Sequence, residues 1–231
     1  MNKILSKTLL AASLMLLITL VSMYAADLSV GATAWYTAWD FNSSNNQNNT
    51  EFDPTFLYGP ALSVKFSDDY NLTFVFLYGK FDMHETNSTN KMSRTDSDLA
   101  LNYRLNNYFK IFAGAKYMSY KMPDFNHSST GPGAGLSVVV PVGGDFFILG
   151  NISGLYLWGK DDTKDSTDKF NEYGANSSIA AAYYIASTST TISLGGRYQY
   201  FKTDYDGTGN SRDLTHKFYG VTLSANYSFS I

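Results

Sequence analysis

In the last fifteen residues of the chain, every second residue from Tyr219 onward is apolar or aromatic, and the residues between them are small or polar. The apolar and aromatic residues of this stretch are Tyr219, Val221, Leu223, Ala225, Tyr227, Phe229 and Ile231. Successive side chains on a β-strand point to opposite faces, so this segment has one apolar face and one polar face. A strand of this kind suits a membrane barrel with lipid outside and a polar lumen inside.

The same alternation predicts nine further strands before this one. They are predicted at 28–41, 56–67, 71–83, 95–105, 108–121, 134–142, 146–159, 171–185 and 190–202. Five long polar loops and four short turns alternate between them, with Asn106-Asn107 and Gly143-Gly144-Asp145 as turn signals. The fold class predicted is all-β, a transmembrane antiparallel up-and-down β-barrel of ten strands, with eight strands as the alternative count.

The composition agrees with a membrane barrel. Charged residues make up 16% of the chain, below the ~25% of soluble proteins, and the mean hydropathy is only −0.18. Alternation keeps the average hydropathy of a barrel low, whereas a helical membrane protein is far more apolar. The formal net charge of −3 argues against a nucleic-acid partner.

Residues 1–26 have the pattern of a secretory signal peptide, which leaves a barrel at 27–231. Lys3 and Lys7 give a positive start, 9–21 is apolar, and Ala25 and Ala26 are small enough for cleavage. The alternative is a single membrane anchor, but the apolar run is shorter than the ~20 residues that a spanning helix needs. The chain contains no cysteine, which excludes disulfides and lipid attachment through an N-terminal cysteine.

Outward aromatic residues collect near the ends of the predicted strands. With both termini on the periplasmic side, those toward the loops include Tyr36, Tyr58, Tyr78, Tyr117, Tyr156, Trp158, Tyr173, Tyr198 and Tyr219. Tyr227 and Phe229 lie toward the turns. Tyrosine is a good strand former in general, but that preference does not collect it at strand ends. We therefore expect two aromatic girdles at the two membrane interfaces.

Charged residues of both signs fall on inward positions. They are Asp96, Asp98, Arg104, Lys110, Lys116, Glu172 and Arg197. Such charges pair with one another or line a narrow aqueous path, because an unpaired buried charge is expensive. Bulky inward residues favour a partly plugged interior over an open pore: Trp35, Trp39, Phe112, Phe147, Leu155, Leu157 and Phe201.

The mature chain resembles the small bacterial outer-membrane β-barrel proteins of the OmpA and OmpW type, without a peptidoglycan-binding domain. The resemblance rests on the N-terminal leader and on the C-terminal strand, which usually ends in an aromatic residue and here ends in Ile231, two residues after Phe229. It implies a location in the bacterial outer membrane and contact with the lipid bilayer. It also implies recognition of the C-terminal strand by the barrel-assembly machinery.

The expected function is non-enzymatic, a structural or surface role with narrow-pore activity. A loop-mediated adhesin or ligand-binding surface protein is the alternative, with the loop ligand unknown. An outer-membrane protease or lipid-modifying enzyme is disfavoured, although Asp213 with His216, and Asp82 with His84 and Glu85, imitate the acid–histidine sets of the ten-stranded proteases. A soluble lipocalin-like barrel is a further alternative.

No cofactor or metal site is expected from the sequence. The loop that starts at Asp204 and Asp206 opens like a calcium loop, with oxygen ligands at its first and third positions. Its twelfth position is Thr215, where such a loop needs a bidentate glutamate. The sequence therefore favours an ordinary hairpin loop at this point.

Overall fold

A computed structural model of the protein describes residues 27–43, 51–85, 88–205 and 214–230. The predicted signal peptide, the calcium-like part of the last loop and Ile231 lie outside these residues. The strands are β1 (Asp27–Ser43), β2 (Glu51–Phe52), β3 (Thr55–Lys65), β4 (Tyr70–Glu85), β5 (Ser88–Arg104), β6 (Phe109–Met122), β7 (Phe125–Gly143), β8 (Phe146–Thr163), β9 (Thr167–Ile185), β10 (Thr190–Tyr205) and β11 (Leu214–Ser230).

The ten long strands close into a single antiparallel barrel, and the two-residue β2 pairs with β4. Each long strand pairs with its neighbours in chain order, and β1 pairs with β11 from Asp27 opposite Ser230 to Ser43 opposite Leu214. This strand order confirms the predicted up-and-down barrel. The barrel has ten long strands and not eight, the alternative count. No helix among the described residues is long and apolar enough to cross a membrane.

The turns at the end of the barrel where β1 begins and β11 ends are short, as predicted. Gly144 takes the left-handed conformation (φ 57°) that a tight turn between β7 and β8 requires. In the turn between β5 and β6, Asn106 Oδ1 accepts hydrogen bonds from the backbone N–H groups of Tyr108 and Phe109, at 2.8 and 2.9 Å. We call this end of the barrel the turn end and the opposite end the loop end.

The prediction of long loops at the loop end is wrong at three of the five places. Residues 84–94, 122–133 and 160–170 belong mostly to strands, which continue as hairpins toward tight tips. The strand predicted as the shortest, 134–142, is part of the 19-residue β7. A span needs only ~9–11 residues, so these hairpins rise well above the membrane as folded β-structure. The other two predicted loops, 42–55 and 203–215, include residues 44–50 and 206–213, which lie outside the described residues.

Several strands were predicted to end too early because their apolar face changes sides along their length. On β4, Tyr78 faces outward and is followed on the same face by the polar Lys80 and Asp82, whereas Phe81 and Met83 face inward and are buried. Strands β6, β10 and β11 show the same change. Above the level of the tyrosines the outer face meets water, so apolar side chains are stable there only inside the barrel.

Below the tyrosines the outer face is a belt of exposed apolar side chains. Val221 is 53% exposed, and Ile179, Leu194 and Leu223 are also more than half exposed. Exposed apolar area of this extent is unstable in water and stable in lipid, and a closed barrel leaves no strand edge unpaired. The belt is therefore the part of the barrel that spans the membrane.

Replacement of Val221 with arginine tests the lipid-facing side. Val221 points into the belt, so V221R should cost about 2–4 kcal/mol of unfolding free energy near the bilayer midplane. Thr222 lines the lumen, and T222R should cost clearly less. Denaturant unfolding in lipid vesicles measures both. Equal costs for the two variants would contradict the register of β11.

Replacement of Phe81 with alanine tests the change of face. Phe81 is fully buried above the tyrosine level, so F81A should lower the free energy of unfolding by about 3–5 kcal/mol. The adjacent outward Lys80 is the matched control, and K80A should change stability by no more than about 0.5 kcal/mol. If K80A lowered the free energy of unfolding more than F81A did, the buried face of β4 above the tyrosines would be the one that carries Lys80, which would contradict the structure.

Candidate functional site

The two halves of the lumen differ in how they are filled. The half toward the loop end holds a cluster of buried side chains that we call the plug: Trp35, Trp39, Leu57, Leu77, Phe81, Met83, Met92, Met118, Tyr120, Leu157, Phe201 and Phe218. Trp39 stacks on Phe52 at 3.8 Å between ring centroids and lies 5.0 Å from both Tyr120 and Phe218. These contacts fill the lumen across its width. Of the bulky inward residues predicted from the sequence, Trp35, Trp39, Leu157 and Phe201 belong to the plug and Leu155 packs against it, whereas Phe112 and Phe147 lie outside it.

A layer of five charged residues lies beneath the plug, and we call it the charge layer: Arg94, Asp96, Asp98, Lys116 and Arg197. Lys116 Nζ lies 2.7 Å from Asp96 Oδ1 and 3.0 Å from Asp98 Oδ1. Arg94 Nη2 lies 2.7 Å from the other oxygen of Asp96, and Arg197 Nη2 lies 2.9 Å from Asp98 Oδ2. The layer therefore ties β5, β6 and β10 together across the lumen.

Arg94 connects the charge layer to the plug. Its Nη2 donates to Gln199 Oε1 at 2.6 Å, and its guanidinium carbon lies 3.5 Å from the centroid of the Phe218 ring. Arg94, Gln199 and Phe218 are all fully buried. A guanidinium over an aromatic face is attractive, and the attraction grows when water is excluded. Removing one partner of such a buried set leaves an uncompensated charge, which typically costs about 3–5 kcal/mol.

A second buried polar group lies higher in the barrel, around His127 and Glu172. His127 Nδ1 is 2.7 Å from Asp161 Oδ1, and its Nε2 is 3.9 Å from Glu172 Oε1. Ser129 and Thr203 donate to the two Glu172 oxygens at 2.8 and 3.3 Å. The carboxylates of this group are thus held by hydroxyl and imidazole groups, within a closed interior.

The other two histidines differ in access to solvent, and Asp213, the predicted partner of His216, lies outside the described residues. His216 faces the lumen, as predicted, and is buried, with its Nδ1 accepting from Trp39 Nε1 at 3.3 Å. His84 is exposed and lies 2.9 Å from Asp53, a hydrogen bond that raises the pKa of His84. In the described part of the chain, no group of three or more histidine, aspartate or glutamate side chains could hold a metal ion.

The half of the lumen toward the turn end is hollow. A cavity of about 430 Å³ is lined by amide and hydroxyl side chains together with apolar ones such as Phe112 and Leu149, and Asp98, Lys116 and Arg197 lie at its inner end. Lys110 lines both this cavity and a second one of about 640 Å³ at the mouth. The second cavity is bordered by Arg104, which bonds Asp69 at 3.4 Å. The barrel is therefore open to water at its turn end and filled at its loop end.

The structure brings only some of the predicted lumen charges together. Asp96, Asp98, Lys116 and Arg197 meet in the charge layer, Glu172 lies with His127, and Arg104 and Lys110 lie near the turn end. Asp96, Lys116 and Glu172 are buried, and of these three Lys116 lines the inner end of the cavity.

Sequence reasoning missed Arg94 and the site of His127, because both fall in segments predicted as loops. The inward series Met92, Arg94, Asp96 was the signal that could have found the first of these.

The predicted aromatic residues all lie on the outer face. Tyr58 is opposite Tyr78, and Tyr198 is opposite Tyr219, across neighbouring strands near the loop end. The exposed set also includes Tyr36, Tyr117, Trp158, Tyr227 and Phe229, whereas Tyr156 is half-buried and donates to Asn171 at 3.3 Å. Their role as anchors at the membrane interfaces stays a prediction.

Comparisons with known proteins give likeness in fold only. No protein-family model matches the sequence, and a search of curated proteins gives no match. The outer membrane protease OmpT from Escherichia coli is similar in structure, with a TM-score of 0.52 and 11% identity, over 89% of this chain and 96% of that one. The translocator domain of the autotransporter NalP from Neisseria meningitidis gives 0.51 and 9%, over 97% and 98%.

These two proteins have the same barrel architecture as this chain. Their sequence identity to it, 11% and 9%, is too low to assign their functions to this chain. What the chain itself shows is a closed antiparallel barrel, an apolar outer belt and a polar, partly hollow lumen. Those features together describe a barrel that crosses a lipid bilayer with its strands. The protein is a ten-stranded antiparallel β-barrel of the membrane-spanning type.

Proposed function

We propose that the protein is a non-enzymatic outer-membrane barrel that is closed to solutes and serves a structural and surface role. One observation supports the proposal above all: the half of the lumen toward the loop end is filled by the plug, and the charge layer lies directly beneath it. Side chains from β1, β3, β4, β5, β6, β8, β10 and β11 contribute to the plug. A solute crossing the barrel would have to displace these side chains.

The charge layer supports a closed resting state because its pairs are short and mostly buried. A conducting path along this wall would separate Lys116 from Asp96, or Arg94 from Asp96, in an environment with little water. Breaking buried pairs of this kind costs several kcal/mol each, so an open state would be scarcely populated at rest. The narrow-pore activity expected from the sequence would require a second state of the plug.

The non-enzymatic part of the proposal rests on access. A catalytic histidine must reach its substrate, and both lumen histidines are nearly fully buried: His127 is 2% exposed and His216 is 4% exposed. His84 is accessible, but it stands on the outer face beside Asp53 and away from any cavity described here. The fold likeness to a protease carries no role to this chain, since one barrel fold hosts many activities.

Planar-bilayer conductance of the refolded 27–231 chain tests the closed barrel. After a heat-dependent gel shift has shown that the barrel is folded, the wild type should give no discrete conductance steps. The double variant F201A/F218A removes two plug rings and should give steps if it folds. Reproducible steps from the folded wild type would overturn the closed-barrel proposal.

A surface-contact role is the second candidate, and the ordered hairpin tips favour it. Lys164 at the tip between β8 and β9 lies 3.0 Å from Asp124 at the tip between β6 and β7. Lys160 lies 2.7 Å from Asp162 on the same hairpin. Contacts between and within tips give this part of the surface a defined shape, which a specific partner can recognise at a lower entropic cost.

Shortening one hairpin tests the surface role. Asp161 and Asp168 are directly opposite each other, so replacing 162–167 with Asn-Gly should keep the barrel and remove the tip. If the tip makes the contact, bacteria displaying the shortened protein should lose adhesion to host cells or matrix-coated wells. The control is N107G, which makes an Asn-Gly turn between β5 and β6 at the turn end and leaves the hairpin tips at the loop end unchanged. Unchanged adhesion after shortening would remove this tip from the candidate surface.

A further inference from the structure

The hollow half of the lumen forms a chamber that opens at the turn end, and we call it the turn-end chamber. It consists of the cavity of about 430 Å³ and the mouth cavity of about 640 Å³, and Lys110 lines both. The charge layer and the plug lie above it, so a molecule that enters from the turn end stops inside the barrel. Each cavity falls in the ~300–1,000 Å³ range of ligand sites in proteins.

Lys110 is a chamber cation that has no acidic partner among the described residues. At the mouth, Lys65 Nζ lies 2.9 Å from Asp68 Oδ1. Arg104 Nη2 lies 3.4 Å from Asp69 Oδ1. The two deeper cations of the cavity wall are paired within the charge layer. The half-buried ammonium group of Lys110 is therefore left to meet water or an anion in the chamber.

The charges around Lys110 make its position more positive. Arg104 is directly opposite Lys110 across β5 and β6. The charged side chains that act on Lys110 are Arg104 and Lys65, which are both cations. Like charges that are directly opposite on neighbouring strands are destabilising. An anion held beside Lys110 would reduce this repulsion, and a phosphate with nearly two negative charges would reduce it more than a carboxylate with one.

A continuous row of polar side chains leads from Lys110 to the charge layer. In order across β6 to β10, the residues directly opposite one another are Lys110, Ser137, Asn151, Ser178 and Arg197. All five line the cavity of about 430 Å³. Asn151 Nδ2 donates to Ser137 Oγ at 3.1 Å, which leaves the hydroxyl proton of Ser137 to be donated elsewhere. Because amides and hydroxyls both donate and accept, the row suits the hydroxyl groups of a ligand.

Phe112 adds an apolar surface beside this row. It lies two residues after Lys110 on β6, so both side chains point to the lumen. The ring is half-buried and lines the same cavity as the row. A sugar ring has apolar C–H groups on its faces and hydroxyls at its edge, and it can pack on an aromatic ring while its hydroxyls reach polar neighbours. The cation, the polar row and the ring together match a phosphorylated sugar.

We propose that the turn-end chamber binds a hexose phosphate, with the phosphate on Lys110 and the sugar hydroxyls on Ser137, Asn151 and Ser178. The site needs only the chamber and does not rest on the closed-barrel proposal. A neutral sugar would leave Lys110 unpaired, and inorganic phosphate would leave the polar row without a ligand. Both parts of the ligand therefore contribute to its affinity.

A nuclear magnetic resonance titration of the refolded 27–231 chain, which contains every described strand, tests the proposal. The protein is held in neutral detergent at low ionic strength, where a charge contact is screened least. The probes are glucose 6-phosphate, glucose and inorganic phosphate. The wild type should bind glucose 6-phosphate about ten-fold more tightly than either other probe. Its amide shifts should be largest around Lys110, Ser137 and Asn151.

Two variants separate the parts of the site. K110Q removes the charge and should weaken the binding of glucose 6-phosphate about ten-fold. N151L keeps a side chain of similar size without the amide, and it should lower the affinity for glucose 6-phosphate toward that for inorganic phosphate. The matched control is K80Q, which removes an exposed charge from the outer face and should bind like the wild type.

All variants are compared only after a heat-dependent gel shift has shown the folded barrel. Equal affinity of K110Q and the wild type for glucose 6-phosphate would overturn the proposal. Equal affinity of the wild type for the three probes would overturn it as well. Wild-type binding of inorganic phosphate as tight as that of glucose 6-phosphate would contradict the role of the polar row.

Discussion

The pairing of β1 with β11 is the constraint on which the rest of the molecule depends. In lipid no water is present to hydrogen-bond a free strand edge, so a sheet can cross the membrane only as a closed ring. This ring closes along the whole of β1, from Asp27 to Ser43. Closure of the barrel also encloses a lumen. The side chains that face the lumen must fill it, pair with one another or be in contact with water.

This barrel uses all three solutions, at different depths. Near the turn end the lumen is polar and hollow, at mid-depth Lys116 and Arg197 pair with Asp96 and Asp98, and above them apolar rings fill the space. Arg94 contacts both the charge layer and the plug, through Asp96 and Phe218. A change at one level is therefore expected to act on the next, which couples the closed state of the lumen to the stability of the barrel.

The strand count and the faces of the spanning segments were predictable because lipid enforces a regular pattern. Val221 and Leu223 point outward as the alternation of β11 predicts, and Lys116 and Arg197 point inward. The hairpins above the membrane were not predictable in this way. There the outer face meets water and carries residues such as Lys80 and Asp82, so the segments look like polar loops although they are strands.

The sequence by itself determined the class of fold, the lipid-facing side and the presence of inward charges, since each depends on local alternation and on the bilayer. Tertiary structure alone decided which charges meet. The sequence does not show that Arg94 on β5 and Gln199 on β10 lie 2.6 Å apart, or that His127 reaches Asp161. Those relations depend on the closure of the barrel and its stagger, which bring distant strands together across the lumen.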